Sequence, residues 1–221
     1  MANTADDIFN AINAGDTGAV ARLMETDSNL ARARNELGVS ALMQARYANQ
    51  VDIVALLRNA AGELDIFEAA ALGDVTRLQA LLANGPEPVN SHSNDGFTPL
   101  HLACFFGQPS VAEALIAQGA DVHARSRNPM QNTPLHAAAA GRSKEAVRAL
   151  LEHGADVNAR QDGGWTALHA ASQNGDVEMV RLLIAGGADV QARAGNQQNA
   201  MDLALTKGHQ AVVDVLDEYA R

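Results

Sequence analysis

The chain has 221 residues and a formal net charge of −10 at neutral pH. An acidic chain repels phosphate backbones, so its charge argues against nucleic acid as a general partner. The single cysteine, Cys104, excludes an internal disulfide and fits a reducing compartment. The amino-terminal stretch lacks the basic and apolar regions of a secretory signal, and no apolar run approaches the roughly 20 residues that span a bilayer. We therefore expect a cytoplasmic protein that does not enter a membrane.

A unit of about 33 residues recurs along the whole chain, which is the sequence signature of a stacked repeat protein. The residue two positions after each start is aliphatic, the residue five positions after is Ala, and the residue seventeen positions after is Leu. These columns predict one elongated domain over residues 1–221, in which each unit contacts its neighbours. The seven copies start at Asp6, Ser40, Leu64, Thr98, Thr133, Thr166 and Asn199.

The first copy predicts a pair of helices. Asp6 and Asp7 suit the amino-terminal cap of a helix that runs to about Ala14. Gly15 tolerates the left-handed backbone conformation that ends such a helix. A second helix is predicted to run to about Thr26, and a projecting loop follows it.

The second and third copies are joined by an unusually short segment. Asn49, which tolerates the left-handed conformation, stands where other copies have Gly. From Ala61 only three residues lead to the start of the third copy at Leu64, whereas the fifth and sixth copies use twelve. We therefore predict that the projecting segment is missing here and that Asp65 caps the next helix.

Two later connections have features of their own. Pro86 and Pro88 precede the fourth copy, where they remove backbone donors and would protect an exposed strand edge. The connection into the fifth copy is two residues longer than the later ones, and the extra length falls around residues 128–130.

The repeat pattern resembles the ankyrin repeat family. TPLH begins at Thr98 and Thr133, TALH begins at Thr166, and GADVN begins at Gly154. The resemblance covers essentially the whole chain, and the Ala- and Arg-rich composition looks like ankyrin-repeat proteins of bacteria. It implies an all-α solenoid of seven helix pairs with projecting β-hairpin or loop fingers, of which the one between the second and third repeats is missing.

His101, His136 and His169 each lie three residues after a repeat start. The resemblance implies that they are structural hydrogen-bond partners of Thr and of the neighbouring loops. The alternative is a metal-binding ladder, but rings on helices about 10 Å apart cannot share a zinc ion with bonds near 2 Å. We predict no metal and no cofactor.

The sequence contains no recognisable catalytic motif. It has no phosphate-binding Gly-rich loop, no His-Glu-x-x-His and no paired cysteines. Cys104 is interpreted as a small packed thiol, because a catalytic cysteine needs a lowered pKa and a nearby base. His101, three residues away, keeps that alternative open. We predict that the protein is not an enzyme.

Five of the eight aromatic residues map to one surface: Phe97, Trp165, Phe105, Phe106 and Tyr47. The resemblance implies that their positions, just before a repeat start or seven and eight residues after it, face the concave groove. Phe105 and Phe106 point about 100° apart on a helix, so both cannot enter the core on one stripe. Aromatic residues are also enriched in binding hot spots. For Phe97 and Trp165 the alternative is packing on their own fingers.

Basic residues accompany these aromatic residues. Residues 122–160 hold six bases against three acids, in a chain that is acidic overall. Arg127 and Met130 are predicted on a finger, and Arg142 at the groove-side helix end where Gly is usual. The contrast suggests a groove that receives acidic groups of a partner, while a solvated finger is the alternative.

The sequence thus predicts a non-catalytic, monomeric module that binds a protein partner through the concave groove and fingers of repeats four to seven. The predicted contacts are Phe97, Phe105, Phe106, Arg127, Met130, Arg142 and Trp165. One alternative is a small-molecule-binding protein or enzyme with a pocket near Cys104, Phe105 and Phe106. Another is a structural adaptor without a discrete hot spot. The sequence does not identify the partner.

Overall fold

The computed structural model describes residues 4–84 and 89–219, which contain fourteen α-helices arranged as seven consecutive pairs. Pro86 and Pro88, which were predicted to protect a strand edge, lie outside the described residues. The all-α solenoid is confirmed. The helices are α1 Ala5–Ala14, α2 Thr17–Thr26, α3 Ala41–Tyr47, α4 Val51–Ala60, α5 Ile66–Leu72, α6 Val75–Asn84, α7 Pro99–Phe105, α8 Pro109–Ala117, α9 Pro134–Ala140, α10 Lys144–Glu152, α11 Ala167–Gln173, α12 Val177–Ala185, α13 Ala200–Lys207 and α14 Gln210–Tyr219.

The predicted capping residues start most of the first helices. Thr98, Thr133 and Thr166 each form a capping box with the His three residues later, and Asp65 forms one with Glu68. Each box satisfies backbone N–H groups that have no partner inside the helix.

The first repeat differs from the prediction. Helix α1 begins at Ala5 and its cap is Thr4, so Asp6 lies inside the helix rather than before it. The reason is a capping box in which the Thr4 backbone N–H donates to the Asp7 carboxylate at 2.8 Å. Gly15 ends the helix in the left-handed conformation, as predicted.

The alanines five residues after each repeat start form a buried column: Ala11, Ala45, Ala69, Ala103, Ala138, Ala171 and Ala204. All seven of its alanines are buried, because only a small side chain lets consecutive first helices approach closely. Five of the seven column leucines are also buried, whereas Leu23 and Leu81 are half-buried. Leu23 belongs to the first repeat, which packs against one other repeat in the described residues. The buried apolar side chains form one continuous cluster from Ile8 to Leu216.

The missing finger loosens the stack between repeats two and three. The second helices α4 and α6 scarcely contact each other, whereas the other consecutive second helices pack directly. Leu81 on α6 is therefore left half-buried. The first finger instead approaches the finger of repeat four, where the Asn94 side chain donates to the Gly38 carbonyl oxygen at 3.4 Å. Gly38 has a left-handed backbone (φ 73°), which favours glycine, and a Cβ atom there would lie 1.9 Å from the Asn94 amide nitrogen and displace that side chain.

The fingers are turns rather than β-hairpins in the described residues. The backbone there forms one isolated bridge, between Arg34 and Ser40. Its other bonds are single ones that close a loop, such as Gln161 N–H to the Trp165 carbonyl at 2.9 Å, or that join adjacent fingers. The described residues include no helix that is both long enough and apolar enough to cross a membrane.

Candidate protein-binding groove

An open groove of about 570 Å³ lies between the first helices of repeats four to six and the bases of their fingers. We call this surface the groove. Helices α7, α9 and α11 supply its floor, and residues 130–132 and 161–166 supply one wall. Its lining consists of Tyr47, Phe97, His101, Leu102, Phe105, Met130, Asn132, His136, Ala137, Ala140, Gln161, Asp162, Gly163, Trp165, Thr166, Ala170 and Gln173.

Four of the predicted contact residues line the groove: Phe97, Phe105, Met130 and Trp165. Phe105 is 39% exposed and Met130 is 48% exposed, which is unusual for large apolar side chains. The end of α9 comes so close to Phe105 that a Cβ atom at Gly141 would lie 2.0 Å from its carbonyl oxygen. That contact holds the backbone of Phe105 at the rim of the groove.

Phe97 and Trp165 pack on their own repeats and also line the groove. The Phe97 ring lies 6.0 Å from the ring of His101, and the Trp165 ring lies 5.6 Å from that of His169. Each ring therefore packs on the helix that follows its own finger. Both rings are half-buried and turn their remaining surface to the groove.

Phe106 is separate from the groove. Its ring packs against Phe105 at 5.1 Å and Tyr47 at 5.4 Å, and the Arg46 guanidinium lies 4.4 Å from its centre. Phe106 is not among the lining residues, so the structure divides the predicted pair into a groove residue and a packing residue.

Arg127 and Arg142 also lie outside the lining. Both are exposed, and the Arg142 guanidinium donates to the Asn174 carbonyl oxygen at 3.0 Å. Arg142 adopts the left-handed conformation (φ 59°) of the glycine that it replaces, as its position in the repeat predicts. In the described residues no hydrogen bond or ion pair involves the Arg127 side chain, so its cation remains available.

Other finger arginines hold the fingers to one another. The Arg125 guanidinium donates to the carbonyl oxygens of Gln131 at 3.1 Å and Arg160 at 3.0 Å. The Arg160 guanidinium donates in turn to Gly164 at 3.3 Å and Arg193 at 2.7 Å. These guanidinium groups therefore bind backbone carbonyl oxygens of the fingers. No Arg or Lys of the described residues lines the groove, so the local excess of bases does not make the groove basic.

The three histidines are structural hydrogen-bond partners, as predicted. His101 Nδ1 accepts from the Thr98 N–H at 3.3 Å, and its Nε2 donates to the Asn132 carbonyl oxygen at 2.9 Å. Burial lowers the pKa of His101 to about 4, and burial also lowers the pKa values of His136 and His169. All three rings are therefore neutral at pH 7.

Cys104 is fully buried and is absent from the groove lining. Burial raises the pKa of its thiol, which opposes formation of the reactive thiolate. The described residues contain no group of three or more His, Cys, Asp or Glu side chains that could hold a metal ion.

Sequence reasoning missed the small residues that make room in the groove. Ala140 occupies the same repeat position as Phe105, seven residues after the repeat start, and Ala137 and Ala170 occupy the position of Leu102. The signal was an alanine that follows a large side chain in the same column, which leaves a depression beside Phe105.

Asn132 and Asp162 are further lining residues that the sequence did not indicate. They are close because adjacent fingers pair there: the Asp162 N–H donates to the Met130 carbonyl oxygen at 2.8 Å.

Helix pairs that stack through columns of Ala and Leu, with a finger before most pairs, define a repeat solenoid. The sequence profile described as Ankyrin repeats (3 copies) matches residues 66–161 and 158–220, which together exceed half of the chain. The chain therefore belongs to the ankyrin repeat family. Ankyrin repeats are generally protein–protein interaction modules.

Similar proteins come from several kingdoms. Ankyrin repeat domain-containing protein 49 of Homo sapiens is 43% identical over 56 residues, which are 25% of this chain and 23% of that protein. The Transient receptor potential cation channel subfamily A member 1 homolog of Caenorhabditis elegans is 32% identical over 120 residues, 50% of this chain and 10% of that protein. The BTB/POZ domain and ankyrin repeat-containing protein NPR3 of Oryza sativa subsp. japonica is 32% identical over 109 residues, 47% and 18% respectively. The chain thus spans less than a quarter of these relatives.

Proposed function

We propose that residues 1–221 form one non-catalytic, monomeric module that binds an apolar segment of a protein partner in the groove, with the fingers of repeats four to seven at its edge. One observation carries the proposal. Phe105 and Met130 are exposed apolar side chains, and they face the same open groove as Phe97 and Trp165. A contiguous exposed apolar surface of this kind is typical of an interaction site.

The open, elongated shape of the groove also favours a polypeptide segment. It crosses three repeats, and an extended surface across several units is how solenoids recognise partners. Aromatic and Met side chains are those enriched at the centre of protein interfaces. A cytoplasmic location and a bacterial source stay predictions from the sequence.

The predicted acidic groups of the partner belong at the margins of the groove. Arg127 and Arg142 are exposed and lie outside the groove lining, so they would meet carboxylates that flank the bound apolar segment. The alternative of a small-molecule site built on Cys104, Phe105 and Phe106 has less support, because two of those three residues do not line the groove.

The test blocks the groove without touching the core. Ala140 is exposed and lines the groove, whereas Ala185 is an exposed alanine at the end of α12 that does not line it. We expect proteins captured from the source cells by the wild type to be lost with Ala140→Arg and retained with Ala185→Arg. Both variants should keep the wild-type melting temperature. Equal capture by the two variants would mean that the groove is not the binding surface.

A further inference from the structure

A buried acceptor in the groove has no donor among the described residues. Asn132 is 8% exposed and its Oδ1 atom accepts no hydrogen bond there. Its backbone groups are all used: the N–H donates to Ser126 Oγ at 3.0 Å, and the carbonyl accepts from the Ser126 N–H and His101 Nε2, both at 2.9 Å. A buried acceptor without a donor is unfavourable, so such an atom marks a place that solvent or a ligand completes.

This acceptor differs from the other unpartnered buried atoms of the described residues. Those belong to Gln50, Ser91 and Ser172, none of which lines the groove. Asn132 does line it, between Met130 and the first turn of α9. The Oδ1 atom itself is covered from solvent in the free protein, so a donor in the groove pairs with it only when the Asn132 amide turns toward the groove.

The charge of the groove selects among possible donors. Asp162 is the one formally charged side chain among the described lining residues, and it is exposed and takes part in none of the described ion pairs. His101 and His136, the lining histidines, are neutral because burial lowers the pKa of each. A cationic donor is attracted by Asp162, whereas a carboxylate is repelled by it.

We propose that the groove takes a segment of a partner protein that presents an arginine or lysine side chain next to an apolar side chain. The inference rests on the proposed function, since it specifies the chemistry of the partner at the same surface. The apolar side chain packs against Phe105 and Met130. The aliphatic stem of the basic side chain lies along Trp165, and its N–H groups donate to Asn132 Oδ1 and pair with the Asp162 carboxylate.

Side chains of this kind match the mixed lining better than a neutral donor does. Arginine and lysine combine an apolar stem with a cationic head, and arginine also stacks on aromatic faces. A neutral donor satisfies Asn132 but leaves Asp162 without a counter-charge. A purely apolar side chain would leave Asn132 Oδ1 without a donor.

The first experiment selects peptides from a random phage display library on the wild-type protein, with groove specificity defined by loss of binding to Ala140→Arg. We expect the groove-specific peptides to share an arginine or lysine within two positions of an aromatic or aliphatic residue. Groove-specific peptides that are neutral or acidic would overturn the inference while leaving the proposed function in place. Selected peptides that bind Ala140→Arg equally, or no selection at all, would contradict the proposed function itself.

The second experiment is a double-mutant cycle on the best peptide. Replacing its basic residue by norleucine keeps most of the stem and removes the charge and donors. On the wild type this change should weaken binding about tenfold or more, as for loss of a charge-assisted hydrogen bond. On the combined Asn132→Leu and Asp162→Asn protein it should weaken binding less than about twofold. An equal effect on both proteins would overturn the inference.

Two control variants keep this result interpretable. Glu152→Gln removes an exposed acid outside the groove and should leave the norleucine effect unchanged. Asn132→Leu alone should keep or raise the melting temperature, because the Asn132 side chain makes no hydrogen bond to lose in the described residues. A clear fall in that temperature would show that Asn132 holds the finger together, and the assignment of Oδ1 to a ligand would fail.

Discussion

The phenol of Tyr47 in the second repeat donates a hydrogen bond to the carboxylate of Asp95, 2.6 Å away in the finger of the fourth repeat. The guanidinium of the adjacent Arg46 donates hydrogen bonds to the Ala71 carbonyl oxygen of repeat three at 3.2 Å and to the Phe106 carbonyl oxygen of repeat four at 3.3 Å. Side chains of repeat two thus contact repeat four directly across repeat three. They tie together the part of the solenoid that the missing finger loosens, immediately beside the groove.

Removing the phenol should weaken this tie. Burial, together with the hydrogen bond to Asp95, raises the pKa of Tyr47, so the phenol stays a protonated donor. We expect Tyr47→Phe to lower the free energy of unfolding by about 1.5–3 kcal/mol, the range for a hydrogen bond to a charged group. Urea unfolding measures the change. Tyr219→Phe, at a side chain that is 52% exposed, should have almost no effect; equal losses would contradict the account.

Phe105 and Phe106 should separate binding from stability. Phe105→Ala removes a ring that is 39% exposed and contacts Phe106 along one edge, so we expect a loss of only about 0.5–1.5 kcal/mol together with loss of partner binding. Phe106→Ala removes the ring on which Tyr47 and Arg46 pack, and we expect a loss of roughly 1–3 kcal/mol. Thermal unfolding by circular dichroism, combined with the capture assay, distinguishes the two. Equal destabilisation by both variants would place Phe105 in the core.

The Leu column should dominate stability. Leu150 is fully buried between consecutive second helices, so Leu150→Ala should lower the free energy of unfolding by roughly 2–5 kcal/mol. Leu205, at 56% exposed on α13, is a matched control whose replacement by Ala should have little effect. A loss well under about 1 kcal/mol at Leu150 would show that the assigned repeat register is wrong.

Stability should fall in mild acid because of the buried histidines. The pKa of His101 is about 4 in the folded protein against an ordinary 6.5, so between these values the unfolded chain binds more protons. The contribution is therefore complete above pH 6.5 and is lost as the pH falls toward 4, by roughly 3 kcal/mol for His101 alone. His136 and His169 act in the same direction. Unfolding experiments at several pH values give the free energy of unfolding across this window. Its dependence on pH should be weaker for His101→Gln than for the wild type, and an equal dependence would contradict the assignment.

The sequence alone predicted the features that depend on periodicity. Helix pairs, the buried Ala column and the missing finger after Ala61 all follow from spacing, because a repeated backbone gives the same residue type the same environment. The histidine hydrogen bonds were predicted from the resemblance to the ankyrin repeat family, which the Thr98–His101 pattern carries.

The sequence could not assign side chains whose environment lies in another repeat. Nothing near Phe106 reveals that Arg46 and Tyr47 cross repeat three to cover it. A count of bases likewise does not reveal that Arg125 and Arg160 donate to the carbonyl oxygens of the next finger. The depression beside Phe105 depends on the small size of Ala140, and no sequence motif marks a space that a small side chain leaves.

The most direct test of the groove as the binding surface is site-specific photo-cross-linking. A benzoylphenylalanine at Phe105 lies in the groove, and one at Val51, which is 70% exposed on α4, lies outside it. We predict a cross-linked partner from the Phe105 position that disappears when Ala140→Arg is added, and no such product from Val51. A partner that cross-links equally from Val51, or from Phe105 despite the blocked groove, would contradict the account.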